Sequence, residues 1–124
     1  MTINNKKSYK KIVEDLQTAF TDNPEAAKAD FFASSKLISG LRCESTSRDF
    51  TTIIDEPESL GGSNLGPSPV ELALSALGAC QEITYRLYAD KLGIPLKKIE
   101  VDLSGNLDFK GFLALDDNIR PGYL

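Results

Sequence analysis

The sequence predicts an α+β fold in which an N-terminal helix and a β-hairpin precede a long central helix and further strands. Two observations support this class. Apolar residues recur at helical spacing near the start and in the middle of the chain, and they alternate with polar residues on both sides of the central helix. The 124 residues are enough for one domain. We divide them into a helical extension, residues 1–30, and a main domain, residues 31–124.

The extension begins with an amphipathic helix over residues 8–20, whose apolar side chains fall on one stripe. Asn23 and Pro24 then supply the cap and the first-turn proline of a short second helix. The basic residues in and before the first helix are interpreted as a solvated face rather than a nucleic-acid arm. They are Lys6, Lys7, Lys10 and Lys11.

Residues 31–55 predict a β-hairpin, because apolar and polar residues alternate there. We expect Gly40 to form a bend or bulge in the first strand and Arg48 to lie in the turn before "FTTIID", the second strand. The next segment, "EPESLGGSNLGPSP", is rich in Gly, Pro, Ser and Asn, which indicates a loop.

The clearest local signal opens the central helix. Ser68 is the expected N-cap and Pro69 the first helical residue, and Glu71 completes an S-x-x-E capping box. The helix is expected to run to about Leu92 and to stop at Gly93.

Two more strands are predicted beyond this helix. Residues 97–105 alternate, with Ile99, Val101 and Leu103 facing inward. A turn at residues 105–106 leads to a second alternating segment, residues 107–115, before a polar end.

The central helix has two distinct faces at about 100° per residue. One is a polar stripe of Glu71, Ser75, Glu82 and Arg86. Cys80 lies about 180° from Glu71 and has apolar or small neighbours, so we expect its face to be buried. These neighbours are Ala73, Ala76, Thr84 and Leu87.

A thiol in such surroundings is more often a packing residue than a nucleophile. Reactivity would require a nearby cation, such as an arginine that the pattern alone does not identify.

The composition is that of a soluble globular protein, with 41% hydrophobic and 26% charged residues and a net charge of −4. A negative chain is not suited to binding nucleic acid or anionic lipid, so we expect neither partner. Because no apolar stretch follows the basic N-terminal residues and the longest apolar run is too short to cross a membrane, a cytoplasmic location is expected. Without histidine, the chain has no His-dependent catalytic triad and no His-ligated metal.

Three motifs together resemble the OsmC/Ohr family of thiol-dependent hydroperoxide reductases: "GPSPVELALSALGAC", "GIPLKKIEVDLSG" and "GFLALDDNIRPGY". The resemblance runs from about Phe31 to the end of the chain. It implies an intertwined homodimer, in which two long central helices are buried between curved sheets. It also implies reduction of organic hydroperoxides, and in some members hydrogen peroxide, by a peroxidatic cysteine at the position of Cys80.

The resemblance further implies an arginine on the first hairpin that activates the thiol and binds the peroxide. The sequence "SGLR" puts Arg42 at that position. Many members of the family pair this arginine with a glutamate one residue before Glu71, where this chain has Val70. We therefore interpret Glu71 as a helix cap first and as a weaker catalytic candidate second.

Two further departures concern the reaction cycle. A resolving cysteine lies in a later "CPV"-like segment of the peroxidase members, and this chain stops after "RPGYL" without such a segment, as a C-terminally shortened member would. Cys43 is the other thiol, but it adjoins Arg42 on a strand, so the two side chains point to opposite faces. We treat Cys43 as a bystander.

The leading hypothesis is a cytoplasmic peroxidase of oxidative stress defence, with Cys80 as nucleophile and Arg42 as its activating residue. An external dithiol, of the lipoyl or low-molecular-weight type, would return the cysteine to its reduced form. No metal, flavin, nucleotide or other cofactor is implied. The alternatives are a non-catalytic member that binds an apolar ligand between the helices, and an inactive fragment.

Overall fold

The computed structural model describes residues 8–122 of the chain. The predictions for Lys6, Lys7 and the last two residues lie outside this range. The elements in chain order are α1 (Lys10–Asp22), a 3-10 turn (Pro24–Ala27), β1 (Ser34–Ser39), β2 (Arg42–Ser47), β3 (Phe50–Ile54), a second 3-10 turn (Glu58–Leu60), α2 (Pro69–Leu92) and the short helix α3 (Phe109–Phe112). This mixture of helices and one antiparallel sheet confirms the predicted α+β class.

The sheet has three strands in the order β1-β2-β3, with each neighbouring pair antiparallel. The prediction of a two-stranded hairpin is therefore wrong, although the turn at Arg48 is confirmed. Gly40 does not merely bend the first strand. With φ of 57° it reverses the chain between β1 and β2, a backbone conformation that costs glycine little. The pairing is irregular just before this turn, between Leu37 and Ser39.

The prediction for α2 is confirmed at both ends. The Ser68 hydroxyl accepts a hydrogen bond from the Glu71 N–H (3.2 Å), and the Glu71 carboxylate accepts one from the Ser68 N–H (3.0 Å). At the other end Gly93 adopts the left-handed conformation, with φ of 69°, and the Ile94 N–H returns to the Ala89 carbonyl at 2.8 Å. These caps satisfy backbone groups that a helix end otherwise leaves unpaired.

Helix α1 packs against the C-terminal half of α2. The Tyr9 N–H donates to the Asp90 carboxylate at 2.9 Å, and the Arg86 guanidinium lies 3.4 Å from the same carboxylate. Arg86 also lies over the Tyr9 ring, 5.5 Å from its centroid, and Lys91 donates to Gln17 at 2.8 Å. The helical extension is thus fixed to the central helix. The predicted short second helix is a single 3-10 turn, Pro24–Ala27.

The two strands predicted beyond α2 are wrong, since residues 93–122 contain no strand. A strand needs a neighbouring strand for its backbone hydrogen bonds. Here Val101 and Leu103 instead lie against α2, with which they line a groove. Farther on, the Asp108 side chain caps helix α3 by accepting a hydrogen bond from the Lys110 N–H, at 3.0 Å.

The described residues enclose very little core. Ala89 is their one buried hydrophobic side chain, whereas Phe31 and Phe32 are 92% and 84% exposed. The chain has 10109 Å² of accessible surface, against about 6,500 Å² for a compact monomer of this mass. Even if the nine undescribed residues contribute the area of an unfolded chain, about 1,500 Å², roughly 2,000 Å² of excess surface is left. A single chain therefore exposes apolar surface that a stable protein normally covers.

Candidate functional site

The face of α2 that carries Glu71 is covered by the chain itself. Gly78 and Ala89 lie within about 20° of Glu71 around the helix axis, and both are buried. A Cβ atom on Gly78 would lie 2.7 Å from Cδ1 of Leu103, so the missing side chain permits this close approach. In the sequence, the two small residues on the polar stripe, Gly78 and Ala89, could have indicated this packing.

Cys80 lies on the opposite face of α2, and its side chain is exposed. The prediction that this face is buried is wrong for a single chain, because the segments that pack on α2 occupy the other side. Exposed apolar residues share the Cys80 face, including Leu77 at 50% and Ile83 at 60% exposure. The thiol is therefore open to a small reactant or to the surface of a second chain.

The groove beside Glu71 does not serve Cys80. Its volume is about 420 Å³, and residues of α2 and of the segment after it line the groove: Glu71, Ser75, Gly78, Glu82, Val101 and Leu103. Cys80 is nine positions from Glu71, which is about half a turn around the helix axis and about 13 Å along it. A molecule in this groove would have the helix between itself and the thiol.

Arg42 is the first residue of β2 and is half-buried. Its Nε atom is buried and has no hydrogen-bond partner among residues 8–122. Within the same range no hydrogen bond joins Arg42 to Cys80, and the sheet makes no extensive contact with α2. One chain therefore does not bring the two main candidates of the sequence together.

Glu71 is used as a cap. Both halves of its capping box with Ser68 are present, which confirms the predicted helix cap. Glu71 is far from Cys80 of the same chain, because the two residues lie on opposite faces of the helix and about 13 Å apart along its axis. A catalytic contribution of Glu71 stays a prediction.

Asp55 is a buried polar residue that the sequence patterns did not indicate. Its side chain is only 1% exposed, yet it accepts three backbone hydrogen bonds, from Glu56 (2.8 Å), Ser63 (3.2 Å) and Leu65 (3.2 Å). Burial raises the pKa of the Asp55 carboxyl, but these donors and the charge of Arg42 outweigh burial and lower the pKa below its ordinary value. An aspartate at a strand end before a Gly- and Ser-rich loop was the available signal, since its side chain readily bonds to nearby backbone.

The loop between β3 and α2 closes around Asp55. The Asp55 N–H donates to the Pro67 carbonyl at 3.0 Å, and the Asn64 N–H donates to the Glu56 carbonyl at 3.0 Å. A Cβ atom on Gly62 would clash with the carbonyl oxygen of Glu56, so glycine is required at that position. The segment predicted as an irregular loop is thus a closed structure that ties the end of the sheet to the start of α2.

Cys43 is half-buried on β2, where it pairs with Leu37 and Ile54. Its sulfur lies 3.8 Å from the Leu41 carbonyl oxygen, a weak contact. Both cysteines are free thiols. The Cys, Asp and Glu side chains of residues 8–122 form no group that could hold a metal ion. None of the helices in this range has the length and hydrophobicity needed to cross a membrane.

Comparison with known proteins identifies the part of the chain that contains α2. Residues 61–121 match the family model described as OsmC-like protein. The matched region includes Cys80 and the capping box, whereas Arg42 and Asp55 precede it. No curated protein sequence matches the chain at a significant level. The part of the chain that contains α2 and Cys80 therefore belongs to the family of OsmC-like proteins.

Proposed function

We propose that the protein is a thiol-dependent peroxidase that reduces organic hydroperoxides or hydrogen peroxide through Cys80. The observation that carries the proposal is an accessible thiol in the middle of α2, on an apolar face, within the region that matches the OsmC-like model. An apolar surface next to the thiol suits hydroperoxides with apolar tails. By analogy with the family, the reaction would serve oxidative stress defence in the cytoplasm, with residues 31–124 as the catalytic domain.

The first half of the reaction oxidises Cys80. Its thiolate attacks one peroxide oxygen, a sulfur–oxygen bond forms, and the oxygen–oxygen bond breaks. The leaving alkoxide takes up a proton and departs as an alcohol, or as water from hydrogen peroxide. The sulfur loses two electrons and becomes a sulfenic acid.

The second half restores the thiol with an external dithiol of the lipoyl or low-molecular-weight type. One of its thiols attacks the sulfenic sulfur, releases water and forms a mixed disulfide. The other thiol then displaces Cys80, so the reductant leaves as a disulfide. This external route is proposed because Cys43, on β2, has no contact with Cys80 among residues 8–122.

Arg42 is proposed to favour the thiolate and to stabilise the developing alkoxide. A buried Nε–H without an acceptor is a donor that an anion could use. Since one chain does not bring Arg42 to Cys80, we propose that a homodimer completes the site by covering the Cys80 face of α2. An excess surface of roughly 2,000 Å² per chain falls within the range that obligate dimers bury. No step is assigned to Glu71.

A second candidate function is the binding of an apolar ligand without catalysis. It is favoured by the exposed Leu77 and Ile83 beside Cys80 and by Val70 at the position of the family's glutamate. In that case Cys80 would be part of a binding surface and would not pass through a catalytic cycle.

The experiment that separates these functions treats the purified chain with tert-butyl hydroperoxide and measures the gain of oxygen at each cysteine by mass spectrometry. We expect rapid oxidation at Cys80 in the unaltered chain and in Cys43→Ser, the matched control, and none in Cys80→Ser. Catalytic turnover is then followed with dihydrolipoamide. If Cys80 reacts no faster than free cysteine under the same conditions, the peroxidase proposal is wrong and ligand binding becomes the better account.

A further inference from the structure

Arg42 and Asp55 come directly after the last pair of the β2–β3 ladder. The last paired residues of this ladder are Cys43 and Ile54, so the next opposed positions are Arg42 and Asp55. Opposed positions of an antiparallel register have side chains on the same face, and the positive charge of Arg42 does act on the Asp55 carboxyl. The carboxylate and the guanidinium therefore lie on one face, at the end of the sheet that adjoins the loop.

Asp55 is a fixed negative charge at this position. Its side chain is 1% exposed, and backbone N–H groups occupy both oxygens: Glu56 bonds to Oδ1, while Ser63 and Leu65 bond to Oδ2. Because every one of these donors belongs to the backbone of the closed loop, the carboxylate has little freedom to move.

The Asp55 carboxylate attracts the Arg42 guanidinium, although the two groups form no direct bond. Asp55 and Arg42 interact electrostatically, but no ion pair joins them among residues 8–122, and the Arg42 Nε–H has no acceptor there. A direct, two-bond pair would have consumed the donors of the guanidinium. The arrangement instead holds the arginine by charge and leaves donors for another anion.

Asp55 also connects the strand of Arg42 with the helix of Cys80. Its own N–H donates to the Pro67 carbonyl at 3.0 Å, one residue before Ser68, the N-cap of α2. A single residue thus contacts the loop at both ends and lies opposite the arginine.

We infer that Asp55 is a positioning residue, which holds the Arg42 guanidinium at the end of the sheet so that its donors point to the anionic groups of the reaction. This inference rests on the function proposed above for Arg42. Asp55 itself contacts no reacting atom.

The first test observes Arg42 directly. The exchange of its Nε–H with water is measured by NMR, with the signal assigned by its loss in Arg42→Lys and the exposed Arg48 as an internal reference. We expect Asp55→Asn to speed this exchange by about tenfold or more, because the group is no longer held in its buried place. The matched control is Glu56→Gln, which removes the neighbouring carboxylate, and it should leave the exchange unchanged. An unchanged exchange rate in folded Asp55→Asn would overturn the inference.

The second test separates positioning from general stability. We expect Asp55→Asn to slow the oxidation of Cys80 by tert-butyl hydroperoxide about tenfold when Arg42 is present, and less than about twofold in an Arg42→Met background. Equal losses in both backgrounds would mean that Asp55 acts only through the fold, which overturns the inference. If Cys80 is not oxidised in any variant, the proposed function fails, while the NMR result still decides whether Asp55 holds Arg42.

Arg42→Met serves as the second variant in case Asp55→Asn does not fold, because it keeps Asp55 and its three donors. The carboxyl signal of Asp55 is followed by NMR against pH. Loss of the nearby positive charge should move the midpoint of titration upward. A midpoint that does not move would show that the two groups are not coupled and would overturn the inference.

Discussion

Gly78 and Leu103 are in such close contact that a larger residue at position 78 would force the Leu103 side chain to move. A Cβ atom on Gly78 would lie 2.7 Å from Cδ1 of Leu103. The contact lies on the inward face of the central helix, whereas Cys80 lies on the outer face.

The contact can be tested with Gly78→Ala. Alanine normally stabilises a helix by about 1 kcal/mol relative to glycine. We expect less than this gain in the native chain, because Leu103 must move, and the full gain in a Leu103→Ala background. Urea unfolding measures both values. Equal gains in the two backgrounds would contradict the close packing.

Arg42 should control the reactivity of Cys80. In a Cys43→Ser background, we expect Arg42→Ala to slow the alkylation of Cys80 by iodoacetamide at neutral pH several-fold, since a nearby guanidinium favours the reactive thiolate. Arg48→Ala is the matched control, because Arg48 is an exposed arginine in the turn between β2 and β3, where it lies over the Phe50 ring. Equal alkylation rates in the two variants would show that Arg42 does not activate Cys80.

Glu71 should act on stability rather than on reactivity. Replacement of its capping partner, Ser68→Ala, is expected to cost about 1 kcal/mol of unfolding free energy. Glu71→Gln should cost less, because glutamine can also complete a capping box. Neither should change the rate of Cys80 oxidation in the folded protein. A large loss of that rate in stable Glu71→Gln would instead assign Glu71 to catalysis.

Asp90 should hold the helical extension in place. Its carboxylate accepts the Tyr9 N–H and pairs with Arg86, and the side chains of this pair are only 14% exposed. We expect Asp90→Asn to lower the unfolding free energy by about 1–3 kcal/mol and to make α1 more sensitive to protease. Asp15→Asn is the control, because the Lys11–Asp15 pair is exposed and should contribute little to stability. A loss no larger than that of the control would contradict this role.

Asp55 should make the protein sensitive to acid. Its carboxyl has a lowered pKa in the folded chain, so the charged form is favoured by folding. The resulting stabilisation is fully present above the unfolded-state pKa, about 3.9, and is lost as the pH falls through the lower folded-state value. Urea unfolding between neutral pH and about pH 3 should therefore show a smaller decrease for Asp55→Asn than for the unaltered chain. Parallel decreases would contradict the assignment.

The features that the sequence predicted well are those with local causes. The limits of α2 follow from Ser68, Glu71 and Gly93, which are next to the backbone groups that they satisfy. The class of the fold follows in the same way from residue spacing. In contrast, the orientation of α2 depends on Leu103, which is distant in sequence, and the strands expected after α2 depend on a neighbouring strand that residues 8–122 do not provide.

The candidate site was predicted in part. The motif around Cys80 identifies the family, and the match to residues 61–121 agrees with it. Periodicity could not show that the cysteine is exposed in one chain, because a buried core and an interface between two chains have the same apolar pattern. Asp55 was missed because its partners are backbone N–H groups, which have no side-chain signature in a sequence.

The separation of Arg42 from Cys80 within one chain has a consequence for how the proposed enzyme would be switched on. A newly synthesised monomer would contain a thiol without its activating arginine. Formation of the dimer would bring the two groups together and complete the reactive centre. Dilution would then dissociate the dimer and abolish activity, and added substrate would not restore it. Activity would also rise more steeply with protein concentration than it does for an enzyme that is active as a monomer.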